Sequence, residues 1–200
     1  KKLSRANGIL AKARHYVPRN HLKNIYYATF SSNLYYGTQV WGQSSQVIID
    51  KLSLLQRKSI RIMTFSEYNA HSDALFKDLK ILKVKDNLFL QNCLFVYDYF
   101  HGNLPNSFID TFMKIDNTHS ISTRNASDGF LVKFNHNSTK YGLKSIYNIC
   151  INSWNEFITI QKRKDDLIMK DNNQHIPINL YNITRSKLKS LITKYFLDLY

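Results

Sequence analysis

Asp165 and Asp166 are the one pair of adjacent carboxylates in the sequence. Two-metal phosphoryl or nucleotidyl transfer asks for such a pair, displayed by a strand turn so that both acids reach the ions. These two follow Lys162, Arg163 and Lys164 in a polar stretch with no apolar strand around it, so no catalytic role is assigned to them. None of the seven histidines stands at i, i+4 from another or near a cysteine at zinc-ligand spacing. Cys93 and Cys150 lack the spacing of a cysteine metal site or a disulfide framework, and they fit a reducing compartment. There is no Gly-rich phosphate loop and no GxSxG turn. The expectation is a chain that is not an enzyme on its own, with no catalytic residue, no metal ligand and no cofactor.

Binding chemistry is better represented. The 28 Lys and Arg outnumber the 14 Asp and Glu, giving a formal charge of +14 and a pI near 9.7. Coding DNA rich in A and T would spread such an excess evenly, but residues 1–64 hold eleven of the cations and a single acid, Asp50. That asymmetry points to a polyanion-binding surface in the first third. On a helical wheel Lys2, Arg5 and Lys12 share one narrow sector, Arg19 and Lys23 sit at the start of the next element, and Lys51, Arg57, Lys58 and Arg61 line half of a third. Cationic stripes of this kind track a phosphate backbone, because each neutralised phosphate releases counterions and the contacts add. Arg has the advantage of a forked donor set that matches phosphate oxygens.

Helices must carry these residues. Ala6, Ile9, Leu10 and Ala13 give the segment from Leu3 to Arg14 an apolar edge, interrupted by the helix-weakening Gly8. After Pro18, with Asn20 as N-cap, Leu22, Ile25, Tyr26, Phe30 and Leu34 recur at 3, 4 spacing. From Ser45 to Thr64, Ile48, Ile49, Leu52, Leu55, Ile62 and Met63 oppose the cations. Tyr35, Tyr36 and Trp41, between Phe30 and Gly42, are read as core rather than as base-stacking rings. A short helix is predicted over 71–82. Another over 85–100 is apolar nearly all round, with Gln91 and Asp98 on its one solvent face, and belongs in the middle of a bundle. Asn103 to Asn106 marks the boundary between a basic helical domain, 1–104, and a less regular, mainly helical region, 105–200. There Phe130, Val132 and Phe134 alternate as one short strand or strand pair, and 145–160 is helical around Trp154. A linker is expected near 161–183, and a closing helix, 184–200, is capped by Thr184 and carries the stripe Leu188, Leu191, Ile192, Tyr195, Phe196 and Leu199. The fold class is mostly α. No apolar run reaches the ~18 residues of a membrane span, so a soluble protein is expected; nucleic acid leads as its polyanionic partner, an anionic membrane surface follows, and no membrane partner is assigned. The start at Lys1, with no apolar stretch behind it, predicts no secretory signal and a piece of something longer.

The order of segments resembles the region that follows the polymerase palm in LINE-type, non-LTR retrotransposon reverse transcriptases. The likeness rests on LSRANGILAKARHYVPRNHLKNIYYATFSSNLYYGTQVWG (3–42), LQRKSIRIMTFSEYNAHSDALFKDLKILKV (55–84), FVYDYFHGNLPNSF (95–108) and HSISTR (119–124), with an echo in INSWNEF (151–157). It implies a thumb-like helical bundle and C-terminal extension that grip the backbone of template and primer, as RNA/DNA hybrid or DNA. Nothing here matches the palm's aromatic-Ala-Asp-Asp turn, a terminal zinc knuckle or the upstream endonuclease of some relatives. The resemblance therefore makes the missing palm a partner and the nucleus the compartment. Lys2, Arg5, Lys12, Arg19, Lys23, Lys51, Arg57, Lys58 and Arg61 become the nominated backbone contacts. Two alternatives stand beside this reading: a non-functional relic whose fold survives, and a protein–protein interaction module.

Overall fold

Helices form wherever apolar residues recur at three- and four-residue spacing, and the protein is mostly α, as expected. In this computed structural model the residues described are 1–108, 111–113, 130–132, 139, 142, 144–171 and 183–200. They divide into two compact units, Lys1–Leu88 with Ile192–Tyr200, and Phe89–Leu191. Both dividing points of these units fall inside helices, where no Pro, Gly or polar cluster signals them.

The first unit contains α1 (Lys2–Ala13), α2 (Arg19–Ile25), α3 (Ser32–Tyr35), α4 (Thr38–Trp41), α5 (Gln46–Thr64), α6 (Asp73–Leu79) and the start of α7 (Val84–Phe100). Leu10, Leu22, Tyr26, Phe30, Ile60 and Phe76 are buried in its core. Gly8 stays inside α1 rather than interrupting it. Pro18, not Asn20, caps α2: its extended backbone presents a carbonyl that accepts from the N–H groups of His21 (3.0 Å) and Leu22 (3.2 Å). Between α2 and α3, Tyr26–Ser31 adopts the π register, so residues 19–35 form one continuous rod. Three side chains bond back to carbonyls along it: Thr29 to Ile25 (2.7 Å), Ser32 to Ala28 (2.5 Å) and Asn33 to Thr29 (2.7 Å). The wider turn buries Tyr26, Phe30 and Ser31 together, with the first two rings stacked 5.3 Å apart. At Gly42 an added Cβ would meet Leu88 Cδ2 and the Thr38 carbonyl, each at 2.5 Å, so only glycine fits there.

Buried polar side chains fix the rotation of the helices. Gln56, on α5, donates to Tyr26 Oη (3.1 Å) and the Leu82 carbonyl (2.9 Å) and accepts from the Val84 N–H (2.9 Å). Every polar atom of its amide is used. Asn7 donates to the Leu55 carbonyl (3.0 Å) and accepts from the Ser59 hydroxyl, pinning α1 to α5. This pairing changes the predicted wheels: Asn7 is buried in α1 while Ile9 is 49 % exposed, and in α5 Gln56 and Ser59 turn inward while Ile48 turns out.

The second unit is built on the remainder of α7, α8 (Ile146–Asp171) and the start of α9 (Arg185–Leu199), up to Leu191. Trp154, Ile151 and Phe157 are fully buried. α8 continues to Asp171 instead of ending at Ile160, so 161–171 of the expected linker is helix; 172–182 lie outside the described residues. The predicted strand reduces to a bridge at Leu131, with the Val132 N–H donating to the Met113 carbonyl (2.9 Å); Phe134 is outside the described residues. The inward residue there is Leu131, not Phe130 or Val132, because Asn155 captures both its N–H (2.9 Å) and its carbonyl (3.0 Å). Asp98, expected at solvent, receives a forked pair from Arg185 at 2.9 to 3.2 Å. Thr184 caps α9 through the Lys187 N–H (3.3 Å), and Leu199, predicted on its apolar stripe, is 65 % exposed. Burial raises the Cys93 thiol pKa and pushes that of Cys150 up to about 12, so neither is a ready nucleophile.

Candidate nucleic-acid interface

The nine nominated cations separate by what their donors do. On α1, Lys2, Arg5 and Lys12 are exposed and make no side-chain bond among the described residues. The same holds on α5 for Lys51, Arg57 and Lys58. The other three are engaged. Arg19 forms an ion pair with Asp78, Lys23 donates to the Leu79 carbonyl (2.6 Å), and Arg61 donates through Nε to the Ala70 carbonyl (2.9 Å). Arg19 and Lys23 thus fasten α2 to α6, and Arg61 fastens α5 to the loop that follows it. α1 and α5 are neighbours through Asn7, and between them carry the six uncommitted charges.

The outer face of α5 is less purely cationic than its wheel predicts. Val47 (62 %), Ile48 (47 %) and Leu54 (60 %) are exposed among the lysines. Of the three aromatics read as core, Tyr35 and Trp41 pack against it. Tyr36 does not: it is 86 % exposed, because its extended backbone precedes the left-handed turn at Gly37. Tyr16, in the turn after α1, is 88 % exposed beside His15. Arg14 lies over the Phe65 ring, 4.8 Å from its centroid, and so belongs to the fold.

A cavity of about 300 Å³ in the first unit has no trace on the helical wheels; residues of α5, α6, α7 and α9 line it. Arg57, exposed on α5, is among the lining residues. A hydrogen-bonded cluster around Tyr200 also lines it; the Tyr200 hydroxyl accepts from the Lys83 N–H (2.9 Å) and donates to Asp86 Oδ2. The Lys83 ammonium rests 4.1 Å from the Tyr200 ring centroid and pairs with Asp73 (3.0 Å), while Lys85 pairs with Asp50 (3.1 Å). The carboxyl of Asp50 is held below the usual range first by its bond from Lys85, and that of Asp73 by its bond from Lys83. Burial moves Asp86 the other way, against the pull of the Tyr200 hydroxyl. Residues 53–57, 76, 83–86 and 196–200 share no pattern in one dimension; only the fold assembles them.

Among the described residues no three His, Cys, Asp or Glu side chains converge as a metal site, and no helix is long and apolar enough to cross a membrane. The side chains of Asp165 and Asp166 are outside the described set. The arrangement offers electrostatic capture: two adjacent helices with uncommitted Lys and Arg, and a cavity rimmed by further cations. No family model matches the chain, and no curated protein or solved structure proves similar to it, so the reading of this surface rests on its own residues.

Proposed function

We propose that this chain is a nucleic-acid-binding module, the thumb and post-thumb part of a LINE-like reverse transcriptase, that grips the backbone of an RNA/DNA hybrid or DNA without reading sequence. It performs no polymerase chemistry itself; the palm that would do so is its partner, and the nucleus its compartment. One observation carries the reading: six of nine nominated cations, Lys2, Arg5, Lys12, Lys51, Arg57 and Lys58, stand exposed on two adjoining helices with no side-chain bond among the described residues. Cations that serve only the fold find carbonyls or carboxylates, as Arg19, Lys23 and Arg61 do. Unspent charge on an ordered scaffold is what a sequence-tolerant phosphate grip requires. The mostly helical first unit agrees with the thumb-like bundle that the resemblance implies.

The test is fluorescence anisotropy of the 200-residue chain against a labelled RNA/DNA hybrid and a matched DNA duplex. Submicromolar binding that favours the hybrid and tolerates sequence change supports the thumb reading. Binding no tighter than ~100 µM, the weak end of nonspecific affinity at physiological salt, contradicts it.

A second reading, a protein interaction module, draws on the exposed apolar residues Tyr36, Val40, Val47 and Leu54. Sedimentation velocity decides it: concentration-dependent association supports that reading, and a clean monomer at high concentration counts against it.

A further inference from the structure

We propose that the cavity between α5, α6, the start of α7 and the end of α9 binds a single nucleotide unit, base inward and phosphate at the rim, with Arg57 as the phosphate-holding residue. The choice of a nucleotide among anionic aromatic ligands rests on the nucleic-acid reading above.

A volume of about 300 Å³ is at the small end of ligand sites, which span roughly 300 to 1,000 Å³, and admits one nucleotide but not a duplex. The walls sort by chemistry. Phe76, Leu199 and Tyr200 give an apolar, partly aromatic surface of the kind on which a base packs. Tyr200 is held rigidly for this purpose by Lys83 on its face and by Phe76, edge-on at 6.2 Å.

The rim cations differ in what they are free to do. Lys83 is committed twice, to Asp73 and to the Tyr200 ring. Lys85 has only an exposed ion pair with Asp50, which solvent screens. Asp50 also accepts from Gln46 (2.8 Å) and keeps that bond if Lys85 turns to a phosphate. Arg57 has no direct bond among the described residues, and its forked donors fit two phosphate oxygens at once.

Asp86 supplies a preference among bases. Tyr200 donates to Oδ2 of Asp86, and the second carboxylate oxygen accepts no bond among the described residues. Guanine offers that oxygen a ring N–H and an adjacent amino group, and adenine or cytosine offers an amino group. Uracil's one edge N–H lies between two carbonyls that a carboxylate repels. The order expected is GMP first and UMP last.

Heteronuclear NMR titration of the whole chain with GMP, AMP, CMP and UMP, and with guanosine and inorganic phosphate separately, tests this. GMP should shift resonances around Ser53, Phe76 and Tyr200 and bind at least about tenfold more tightly than guanosine or phosphate alone. Arg57→Ala should weaken GMP about tenfold, and Ser53→Phe, which fills the cavity, should abolish binding with the thermal transition retained. Lys189→Ala, an equal loss of charge in the second unit, should leave GMP binding unchanged. Equal losses from Arg57→Ala and Lys189→Ala, or shifts scattered over the surface, would overturn the proposal. Competition by a 5′-phosphorylated single strand, absent without its phosphate, identifies a strand end as the source; competition by neither strand identifies the free nucleotide. If the hybrid binds and GMP does not, the cavity proposal fails and the grip survives. If GMP binds and the hybrid does not, the grip fails instead.

Discussion

α2 ties its two cations to α6, whereas among the described residues α1 leaves Lys2, Arg5 and Lys12 unbonded and α5 leaves all but Arg61 so. Arg19 and Lys23 face Asp78 and the end of α6, where a carboxylate and a carbonyl await them. Lys2, Arg5, Lys12, Lys51, Arg57 and Lys58 meet solvent, because the sides of α1 and α5 that touch each other are occupied by Asn7, Leu55 and Ser59. Counting basic residues therefore overstates the interface. The useful quantity is the number whose donors the fold leaves unspent, and that number is set by how the helices are rotated.

Converting Lys51, Arg57 and Lys58 together to Glu should have the largest effect. It should lower affinity for any duplex about a hundredfold or more and flatten the salt slope by about three units, while circular dichroism and melting change little. A variant that still binds as tightly would reduce α5 to solvated surface. Gln56→Leu should act on the opposite face of the same helix. It strands the Leu82 carbonyl and the Val84 N–H, at about 1 to 3 kcal/mol each in denaturant unfolding, with binding retained under native conditions. Arg19→Ala, which breaks an exposed ion pair, should cost no more than about 1 kcal/mol of stability and leave the salt slope nearly unchanged. A loss of slope equal to that of a single α5 charge would merge the two classes of cation. The smallest effect is a gain. Gly8 is helical and a Cβ added there would meet nothing within 4 Å, so Gly8→Ala should stabilise by about 0.5 to 1 kcal/mol and leave binding alone.

Amphipathic periodicity made α1, α5 and α9 legible, since 3, 4 spacing of Leu, Ile and aromatic residues reports the buried stripe directly, and an apolar run nearly all round did the same for α7. It did not report rotation. Ile9 and Ile48 are apolar and exposed, while Asn7, Gln56 and Ser59 are polar and buried, because mutual hydrogen bonds outweigh the hydropathy of single residues. The π turn at Tyr26–Ser31 has no signature in spacing, and the polar run after Ile160 reads as linker although helix continues through it to Asp171. Of the candidate site, the residue types and their first-third location were readable. The assignment of Arg19, Lys23 and Arg61 to internal bonds was not, because each partner lies at a distance in sequence that no local pattern encodes. The cavity was hidden for the same reason.

The phosphate grip stands or falls on the salt dependence of hybrid binding by the unaltered chain, with log K plotted against log of the salt concentration. Six uncommitted cations on phosphates should give a slope of about −5, at nearly one unit per contact. A slope between zero and about −1 would show that the exposed charge of α1 and α5 meets no backbone, and the grip would have to be abandoned.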